Sequence, residues 1–516
     1  MADQGKYRGR NKKESCPKFS ENPSGEPGRR TPGILLAAPA SGSGKTAAAC
    51  ALMAALQGKG MNVRACKCGP DYIDPMFHRE VLGIDSKNLD LFFSGKEELI
   101  QSYQRHTEGA DIAVVEGVMG YYDGMALDTE KASSYDVART LGLPVLLVLP
   151  ARGAALSLAA VVKGMSEFRE DSNIQGILLN RVSDMLYPRL KEMLERELHS
   201  MDLDIPVVGY LPEDPCFRME SRHLGLVTPQ EMEGLKDQIQ SAGEVLRRTV
   251  DLELVRRIAG KTAEITVEPD VEYALKGESG VRSGSRLRIG IARDEAFCFY
   301  YKDNLNLLED LGCTLIPFSP LRDRMIPEDL DGLLLGGGYP ELHGKELAEN
   351  RDMLSSVRSA LQDGMPCLAE CGGFMYLHEE MEDREGNVYP LVGQIRGKAF
   401  PTGRLVRFGY VNIEAQSGSD DRISGSSESQ SQAVKRGYLL PGESIRGHEF
   451  HYWDSTDSGA DCVAVKPDGR RKWNCIHMKG NLFAGYPHLY LPSMKAFAER
   501  FAARCASGKE EKMRQK

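Results

Sequence analysis

Short apolar runs alternate with amphipathic stretches along the first half of the chain. The apolar runs predict strands at 34–38, 63–68, 112–116, 145–149, 177–180 and 207–211. The stretches between them, such as 47–57 and 187–198, repeat their apolar residues at helical spacing. Strands that are apolar throughout and alternate with helices predict a mostly parallel α/β sheet that is covered on both faces. Ligands of such a sheet bind at the carboxyl ends of its strands.

The same alternation returns in the second half, with strands predicted at 287–292, 314–318, 332–336 and 366–370. Between the halves lie a helical pattern at 235–258 and a Gly/Ser-rich stretch at 277–285, which together predict a domain connection. Residues 417–432 are rich in Ser, Gly and Asp and predict a mobile loop. The expected division is a disordered tail at 1–30, a first domain at 31–228, a helical linker at 229–286, a second domain at 287–493, and a C-terminal helix and tail at 494–516.

Composition and charge narrow the classes of function. A chain of 516 residues is too long for one ordinary core, and a hydrophobic content of 41% supports globular folding. The net charge of −9 argues against a nucleic-acid partner, because binding to phosphate backbones requires clustered Lys and Arg. No apolar run is long enough to predict a membrane span. The first 30 residues are polar and lack the apolar stretch of a secretory signal.

The cysteines predict neither a zinc site nor a disulfide framework. The pair Cys66-x-Cys68 does not have the spacing of zinc ligands. Five cysteines in apolar surroundings are expected to be small core residues, namely Cys50, Cys66, Cys68, Cys313 and Cys367. We therefore expect a protein of the reducing cytoplasm.

A phosphate-binding loop follows the first predicted strand. The strand leads into Gly42-Ser43-Gly44-Lys45-Thr46 and then into an alanine-rich helix. Glycines allow backbone N–H groups to approach phosphate oxygens, and the helix N-terminus favours negative charge. We expect Lys45 to reach the terminal phosphates of ATP and Thr46 to hold a magnesium ion. The loop is a variant, because Pro39 occupies a position where the strict pattern has glycine.

Acidic residues follow the next strands at the same sheet edge. Asp71 and Asp74 come after the second strand, Glu116 ends the third, and Asp123 follows shortly afterwards. Because Mg²⁺ prefers one or two carboxylates together with phosphate oxygens and water, Asp71 and Asp74 suit a hydrated magnesium ion. Glu116 has two open interpretations: it is a metal ligand, or it orients the reacting groups. Asn180, at the end of a later strand, has two open interpretations: it reads the adenine edge, or it shapes a turn.

A second chemical signature lies near the end of the predicted strand 366–370. There Cys371 precedes Gly372 and Gly373, which predicts a nucleophile on a tight strand-to-helix turn whose helix N-terminus favours the thiolate. Such a thiolate attacks a carboxamide, forms a thioester and releases ammonia. Gly337 and Gly338, after the preceding strand, are expected to supply an oxyanion hole together with Gly372.

The thiol also requires a base. The candidates are His448, His451 and His488, and the chemistry alone does not rank them. In glutaminases of this class the final histidine is usually followed by Pro-Glu. Here His488 is followed by Leu489 and Tyr490, so the sequence does not reveal a third member of the triad.

The motifs together resemble those of the cobyrinate a,c-diamide synthases, the glutamine-dependent amidases of corrinoid biosynthesis. The resemblance covers roughly residues 31 to 492 in order. It is carried by residues 38–46, 68–75 with 77–78, 88–90, 114–120 with 123–124, 179–182, 222–226, 292–297, 335–340, 369–375, 403–404 with 409–410, and 446–451.

The resemblance implies a P-loop, dethiobiotin-synthetase-like ATP-binding amidoligase domain joined to a class I glutamine amidotransferase domain of flavodoxin-like fold. It implies ATP-dependent phosphorylation of the c- and then the a-acetate carboxylate of cobyrinate, a corrinoid, with L-glutamine as the ammonia donor and Mg²⁺ as the cofactor. It implies that Cys371 is the nucleophile and that His488 activates it. It also implies that Asp71, Tyr72, Asp74 and Asp123 surround the substrate and the transferred phosphoryl group, and that Thr46, Asp71 and Glu116 hold the metal.

Free ammonia is protonated in water, so we also predict a sheltered passage between Cys371 and the loop at Lys45. We expect a monomer or a homodimer, without a nucleic-acid or membrane partner. Two other amidases fit the motifs, one acting on another tetrapyrrole such as hydrogenobyrinate or nickel-sirohydrochlorin and one of the cobyric acid synthase type. From a different class, a partitioning-type ATPase with an inactive glutaminase domain remains the alternative.

Overall fold

The computed structural model describes residues 30–218, 234–265, 286–416 and 437–515. Four sequence-based predictions lie outside these residues: the tail before residue 30, the motif at 222–226, the Gly/Ser-rich stretch at 277–285, and the loop at 417–432. In the described ranges, no helix combines the length and the apolar character that a bilayer crossing requires.

A seven-stranded sheet forms the centre of the first domain. Its strands are β1 Gly33–Ala37, β2 Val63–Cys68, β3 Ser86–Leu89, β4 Ile112–Glu116, β5 Val145–Pro150, β6 Ile174–Asn180 and β7 Val207–Leu211. The order is β3-β2-β4-β1-β5-β6-β7, and every pairing is parallel. The helices that cover it are α1 Lys45–Gln57, α2 Ile73–Glu80, α3 Lys96–Thr107, α4 Ser134–Leu141, α5 Ser157–Glu167 and α6 Tyr187–His199, with a 3₁₀ turn at Pro215–Phe217. All six predicted strands are present, and the parallel order brings their carboxyl ends to one edge.

The helical segment after the first domain packs into that domain. Its helices are α7 Leu235–Thr249 and α8 Leu252–Ala259, and their apolar side chains belong to the same buried cluster as α1. A Cβ on Gly243 would lie 2.8 Å from the Cβ of Ala54, so the two helix backbones approach closely. Further along, the Thr262 hydroxyl bonds the backbone of Gly33. The helical pattern was predicted correctly, but these helices are part of the first core rather than a free connection.

The second domain contains a six-stranded sheet and two smaller ones. Its strands are β8 Leu287–Ala292, β9 Cys313–Phe318, β10 Gly332–Leu335, β11 Cys367–Glu370, β12 His378–Glu382, β13 Val388–Pro390, β14 Ile395–Pro401, β15 Arg407–Ala415, β16 Ser444–His451, β17 Trp453–Ser455, β18 Cys462–Val465, β19 Lys472–Cys475, β20 His477–Lys479, β21 Leu482–Gly485 and β22 His488–Leu489. The sheets have the orders β20-β21-β11-β10-β8-β9, β13-β12-β14-β17 and β19-β18-β15-β16-β22. The largest is parallel except at β20 and contains the four predicted strands.

In the part of this domain that the structure describes, the helices are α9 Lys302–Asp310, α10 Gly344–Glu349, α11 Arg351–Gln362, α12 Gly372–Tyr376 and α13 Lys495–Gln515, with 3₁₀ turns at Pro340–Leu342 and Leu491–Met494. The C-terminal helix α13 buries Phe497, Phe501 and Cys505 completely against the large sheet. This helix therefore completes the second core. The five cysteines expected in cores are all buried and unpaired.

The two domains meet beside β3. Lys302 pairs with Asp85 and Lys87 with Asp303, the latter at 2.7 Å. The Tyr410 hydroxyl donates to Asp90 at 2.7 Å, again across the domain boundary. A stacked aromatic pair, Phe93 on Tyr490 with centroids 4.8 Å apart, lies in the same contact. These contacts bring the carboxyl ends of the two large sheets toward a shared space.

Candidate active site

The phosphate loop is held tightly at the end of β1. Gly42 and Gly44 have φ values of +75° and +90°, which glycine adopts without strain. The Asn180 amide donates to the Ser43 carbonyl at 2.8 Å, and a Cβ on Gly44 would lie 2.3 Å from that amide nitrogen. Asn180 thus supports the loop directly. Its role as an adenine reader stays a prediction.

Lys45 lies inside this loop with its ammonium on backbone carbonyls. Its Nζ donates to Met119 O at 2.5 Å and to Ala40 O at 3.2 Å. Burial, helped by the neighbouring Lys67 ammonium, lowers the pKa of Lys45 to about 8. An anionic phosphate beside this group would raise its pKa again and so favour the charged ammonium.

A buried ionic cluster surrounds Glu116 at the end of β4. Its Oε1 accepts hydrogen bonds from the Thr46 hydroxyl at 2.5 Å and from Lys67 Nζ at 2.8 Å, and its Oε2 lies 3.4 Å from His78 Nε2. Lys67 also pairs with Asp74. Burial opposes ionisation of Glu116, yet Lys67 and His78 outweigh it and lower the pKa of this carboxyl. Burial and the Glu116 charge raise the pKa of Asp74.

The oxygen donors of this cluster fit a magnesium ion. Thr46 and Glu116 are in direct contact. Among the described residues, the buried Oε2 of Glu116 accepts no well-formed hydrogen bond, and its neighbour is the His78 Nε2 atom at 3.4 Å. One hydroxyl and one carboxylate are what Mg²⁺ takes from protein when phosphates and water complete its shell. Within the described residues, no group of three or more His, Cys, Asp or Glu side chains forms a ready-made metal site.

Asp71 and Asp123, two of the other predicted acids, line the cavity into which Lys45 and Thr46 also open, and each accepts a hydrogen bond that fixes the local backbone. Asp71 Oδ1 accepts the N–H of Ile73 at 2.8 Å, at the start of α2. Asp123 Oδ2 accepts the N–H of Gly120 at 2.8 Å. Within the described residues, Asp71 makes no hydrogen bond with Thr46 or Glu116, so the role of Asp71 as a metal ligand stays a prediction.

Cys371 occupies a strained turn between β11 and α12. Its φ of +48° is rare for a residue with a side chain, and its N–H donates to Gly485 O at 2.8 Å. A Cβ on Gly373 would lie 2.1 Å from Leu335 O, so glycine is required there. Burial raises the pKa of the Cys371 thiol, although the Gly372 N–H opposes this rise. Burial thus opposes the stabilisation of the thiolate that the sequence predicts from the helix N-terminus, and the helix α12 that follows Cys371 spans only five residues.

The three predicted oxyanion glycines converge beside this turn. A Cβ on Gly372 would lie 3.0 Å from Gly338 N, and a Cβ on Gly337 would lie 2.3 Å from His488 Cε1. The Gly337 carbonyl is turned away, because it accepts the N–H groups of Cys298 and Phe299, both at 3.0 Å. The peptide after Gly337 can therefore present its N–H toward the nucleophile.

Geometry separates the three candidate histidines. His451 has both ring nitrogens engaged, Nδ1 at 2.7 Å from Trp453 O and Nε2 at 3.3 Å from Glu449. His448 lies directly opposite His488 on neighbouring strands, and burial lowers its pKa to about 3. His488 lies against Gly337, and its Nδ1 is 3.7 Å from Glu370 Oε2. This arrangement favours His488 as the base.

One cavity of about 2190 Å³ is lined by residues of both domains, including Lys45, Asp123, Cys371, His448 and His488. The loop and the nucleophile thus open into a common space, and the sheltered passage between them stays a prediction. Sequence reasoning missed four participants, namely Lys67, His78 as a partner of Glu116, Glu370, and Tyr300, whose hydroxyl accepts the Gly336 N–H. Two of them carried a signal, Glu370 by its position beside the nucleophile and His78 by its place in the motif at 77–78, but the role of neither was predicted.

Comparisons with known proteins match both halves of this site. Residues 34–227 match the model of the CobQ/CobB/MinD/ParA nucleotide binding domain, and residues 288–496 match that of the CobB/CobQ-like glutamine amidotransferase domain. A cobyrinate a,c-diamide synthase of Caldanaerobacter subterraneus subsp. tengcongensis is 38% identical over 92% of this chain and 98% of the relative. The same-named protein of Listeria monocytogenes serotype 4b is 37% identical over 89% and 96%. Among solved structures, PurLQS from Thermotoga maritima covers 43% of this chain and 99% of that chain at 15% identity, with a TM-score of 0.28, which is too low to support an inference.

Proposed function

The chain belongs to the cobyrinate a,c-diamide synthase family, and on this premise we propose that it amidates the a- and c-acetate carboxylates of cobyrinate with ATP and glutamine-derived ammonia. The observation that carries this proposal is the cavity lined by both Lys45 and Cys371. An enzyme that only hydrolysed ATP, or only glutamine, would not need both groups in one shared cavity.

In the glutaminase half, His488 takes the thiol proton of Cys371 while the sulfur attacks the carboxamide carbon of glutamine. The N–H groups after Gly337 and Cys371 bind the oxygen that becomes negative. The proton then passes to the leaving nitrogen, so ammonia departs and a thioester remains. Water hydrolyses the thioester to glutamate and restores the thiol.

In the ATP-binding half, an acetate oxygen attacks the γ-phosphorus of ATP and ADP leaves, which gives an acyl phosphate. Ammonia then attacks the acyl carbon, phosphate leaves, and an amide remains. Lys45 and the loop N–H groups position the phosphates. A magnesium ion held by Thr46 and Glu116 would neutralise phosphate charge. The cavity shared by the two sites gives ammonia a short route from Cys371 to the loop at Lys45, which limits its contact with bulk water before it reacts.

The test is incubation with ATP, Mg²⁺, glutamine and a panel of tetrapyrrole acids, followed by mass spectrometry. We expect a product two amides heavier from cobyrinate. A product only from hydrogenobyrinate or nickel-sirohydrochlorin would replace the substrate in this proposal. ATP hydrolysis without any amide would instead favour the ATPase alternative.

Cys371→Ser separates the two halves. We expect it to lose glutamine-driven synthesis and to keep ammonium-driven synthesis, because the serine hydroxyl is a poor nucleophile at this site. Cys313→Ser makes the same change in a buried cysteine of β9 and should leave both activities in place. Loss of ammonium-driven synthesis in Cys371→Ser would contradict the division of labour.

A further inference from the structure

One ring nitrogen of His488 lacks a partner in the described residues. The imidazole is buried, with 3% of its surface exposed, and Nδ1 makes no hydrogen bond there. The Oε2 atom of Glu370 lies 3.7 Å from this nitrogen. A buried imidazole that alternates between neutral and protonated forms requires an acceptor for its second N–H.

Glu370 is held in place from the opposite side. It is the last residue of β11, and its Oε1 accepts the N–H of Leu489, the residue after His488, at 3.2 Å. One carboxylate oxygen therefore fixes the strand that carries the histidine, while the other oxygen faces the imidazole.

The remaining neighbours of His488 do not offer a negative charge. Tyr72, from the first domain, lies 4.9 Å away between ring centroids, and burial raises the pKa of its phenol. His448, opposite on β16, and the Cys371 thiol are both held neutral by burial, which lowers the first pKa and raises the second. Gly337 contributes only backbone. Glu370 is therefore the carboxylate in this described environment.

We propose that Glu370 is the positioning residue of the glutaminase, the acid that the sequence after His488 does not supply. It accepts the Nδ1–H of His488, which leaves the Nε2 lone pair free to take the Cys371 proton, and it stabilises the imidazolium that results. The acid thus comes from the residue before the nucleophile instead of from the segment after the histidine. This inference rests on the glutaminase step of the proposed function.

Glu370→Gln keeps the bond to the Leu489 N–H through the amide oxygen. It replaces the charged oxygen that faces Nδ1 with an NH2 group, which cannot accept the Nδ1–H. We expect kcat for glutamine hydrolysis to fall about 100-fold or more, within the range for an impaired acid–base group, with little change in KM. The acidic limb of kcat/KM should move to lower pH, since the imidazolium loses its counter-ion. Glu370→Asp, which keeps the charge, should recover part of the rate.

Ammonium-driven synthesis is the internal control and should be unchanged in both variants. Glu380→Gln, an exposed glutamate on β12, is the matched control and should behave like the wild type. A Glu370→Gln variant that hydrolyses glutamine within threefold of the wild type, with an unmoved acidic limb, would overturn the proposal. Equal loss of ammonium-driven synthesis would also overturn it, since the role would then be structural. A wild type that hydrolyses glutamine but amidates no tetrapyrrole would contradict the proposed function and leave this inference intact.

Discussion

Replacement of Lys67 by methionine removes the cation that the buried cluster around Glu116 depends on. Lys67 Nζ lies 2.8 Å from Glu116 Oε1 and also contacts Asp74, and the side chains of Lys67 and Glu116 are 5% and 1% exposed. Methionine has a similar volume, so packing changes little. Breaking a buried ion pair by removing one partner costs about 3–5 kcal/mol, because the remaining charge stays buried without compensation. We expect a loss of stability of that size at pH 7.

The loss should depend on pH with a definite sign. Against the opposing effect of burial, Lys67 lowers the pKa of the Glu116 carboxyl. A carboxyl whose pKa is lowered on folding contributes stability above its unfolded pKa of about 4.3, and this contribution is lost as the pH falls through the folded value. The difference between wild type and Lys67→Met should therefore be largest near neutral pH and narrow below about pH 4.

Urea unfolding followed by circular dichroism measures the effect. Tryptophan fluorescence reports only the second domain, because the two tryptophans are Trp453 and Trp473. In Lys67→Met, the first domain should therefore unfold and lose its circular dichroism signal at a lower urea concentration than the second domain, whose unfolding the tryptophan fluorescence reports. Lys59→Met is the matched control, since the side chains of the Lys59–Glu253 pair are 42% and 60% exposed and such a pair contributes little to stability. Equal effects of the two variants would refute the reasoning.

Two further substitutions test packing at the glutaminase site and at α7. Gly337→Ala would place a Cβ 2.3 Å from His488 Cε1, so glutaminase kcat should fall at least about tenfold while ammonium-driven synthesis persists. Gly164→Ala, on α5 with nothing within 4 Å of the added Cβ, should leave both rates unchanged, and equal rates in the two variants would contradict the contact. Leu246→Ala should destabilise the first domain by about 2–5 kcal/mol, measured by the same urea titration. The exposed Leu156→Ala should change stability by less than about 0.5 kcal/mol, and a similarly small effect of Leu246→Ala would show that α7 is not part of the core.

Strands buried on both faces were predictable because their apolar runs are continuous. β3, the strand of the first sheet that was not predicted, shows the limit of this signal. It has the sequence Ser-Lys-Asn-Leu and is an edge strand. The smaller sheets of the second domain were also missed. Their strands are short or mix polar and apolar residues, as in β13, Val388–Pro390. Such strands are defined by their partners rather than by their own composition.

The residues of the candidate site also fall into two groups, those that the sequence predicts and those that only the fold brings together. The phosphate loop and the nucleophile turn are local signals, since each requires glycines at fixed spacing. Partners distant along the chain leave no such signal. Lys67 is 49 residues from Glu116, and the Glu370 bond to Leu489 spans 119 residues. Only the folded arrangement shows that Lys67 shares Glu116 with Thr46.

The contact between the two domains links the ionic cluster around Glu116 to the histidine of the glutaminase site. Tyr72 belongs to the segment that also carries Asp74 and the ionic cluster, yet its ring packs on His488 of the other domain with centroids 4.9 Å apart. The hydroxyl of Tyr301, another aromatic neighbour of Tyr72, donates a hydrogen bond to Pro70 O at 3.1 Å. This docking contributes to the burial of His488, and burial makes an unpaired imidazolium costly. A buried histidine that gains a proton during catalysis therefore requires an internal carboxylate, and Glu370 lies where that charge is needed.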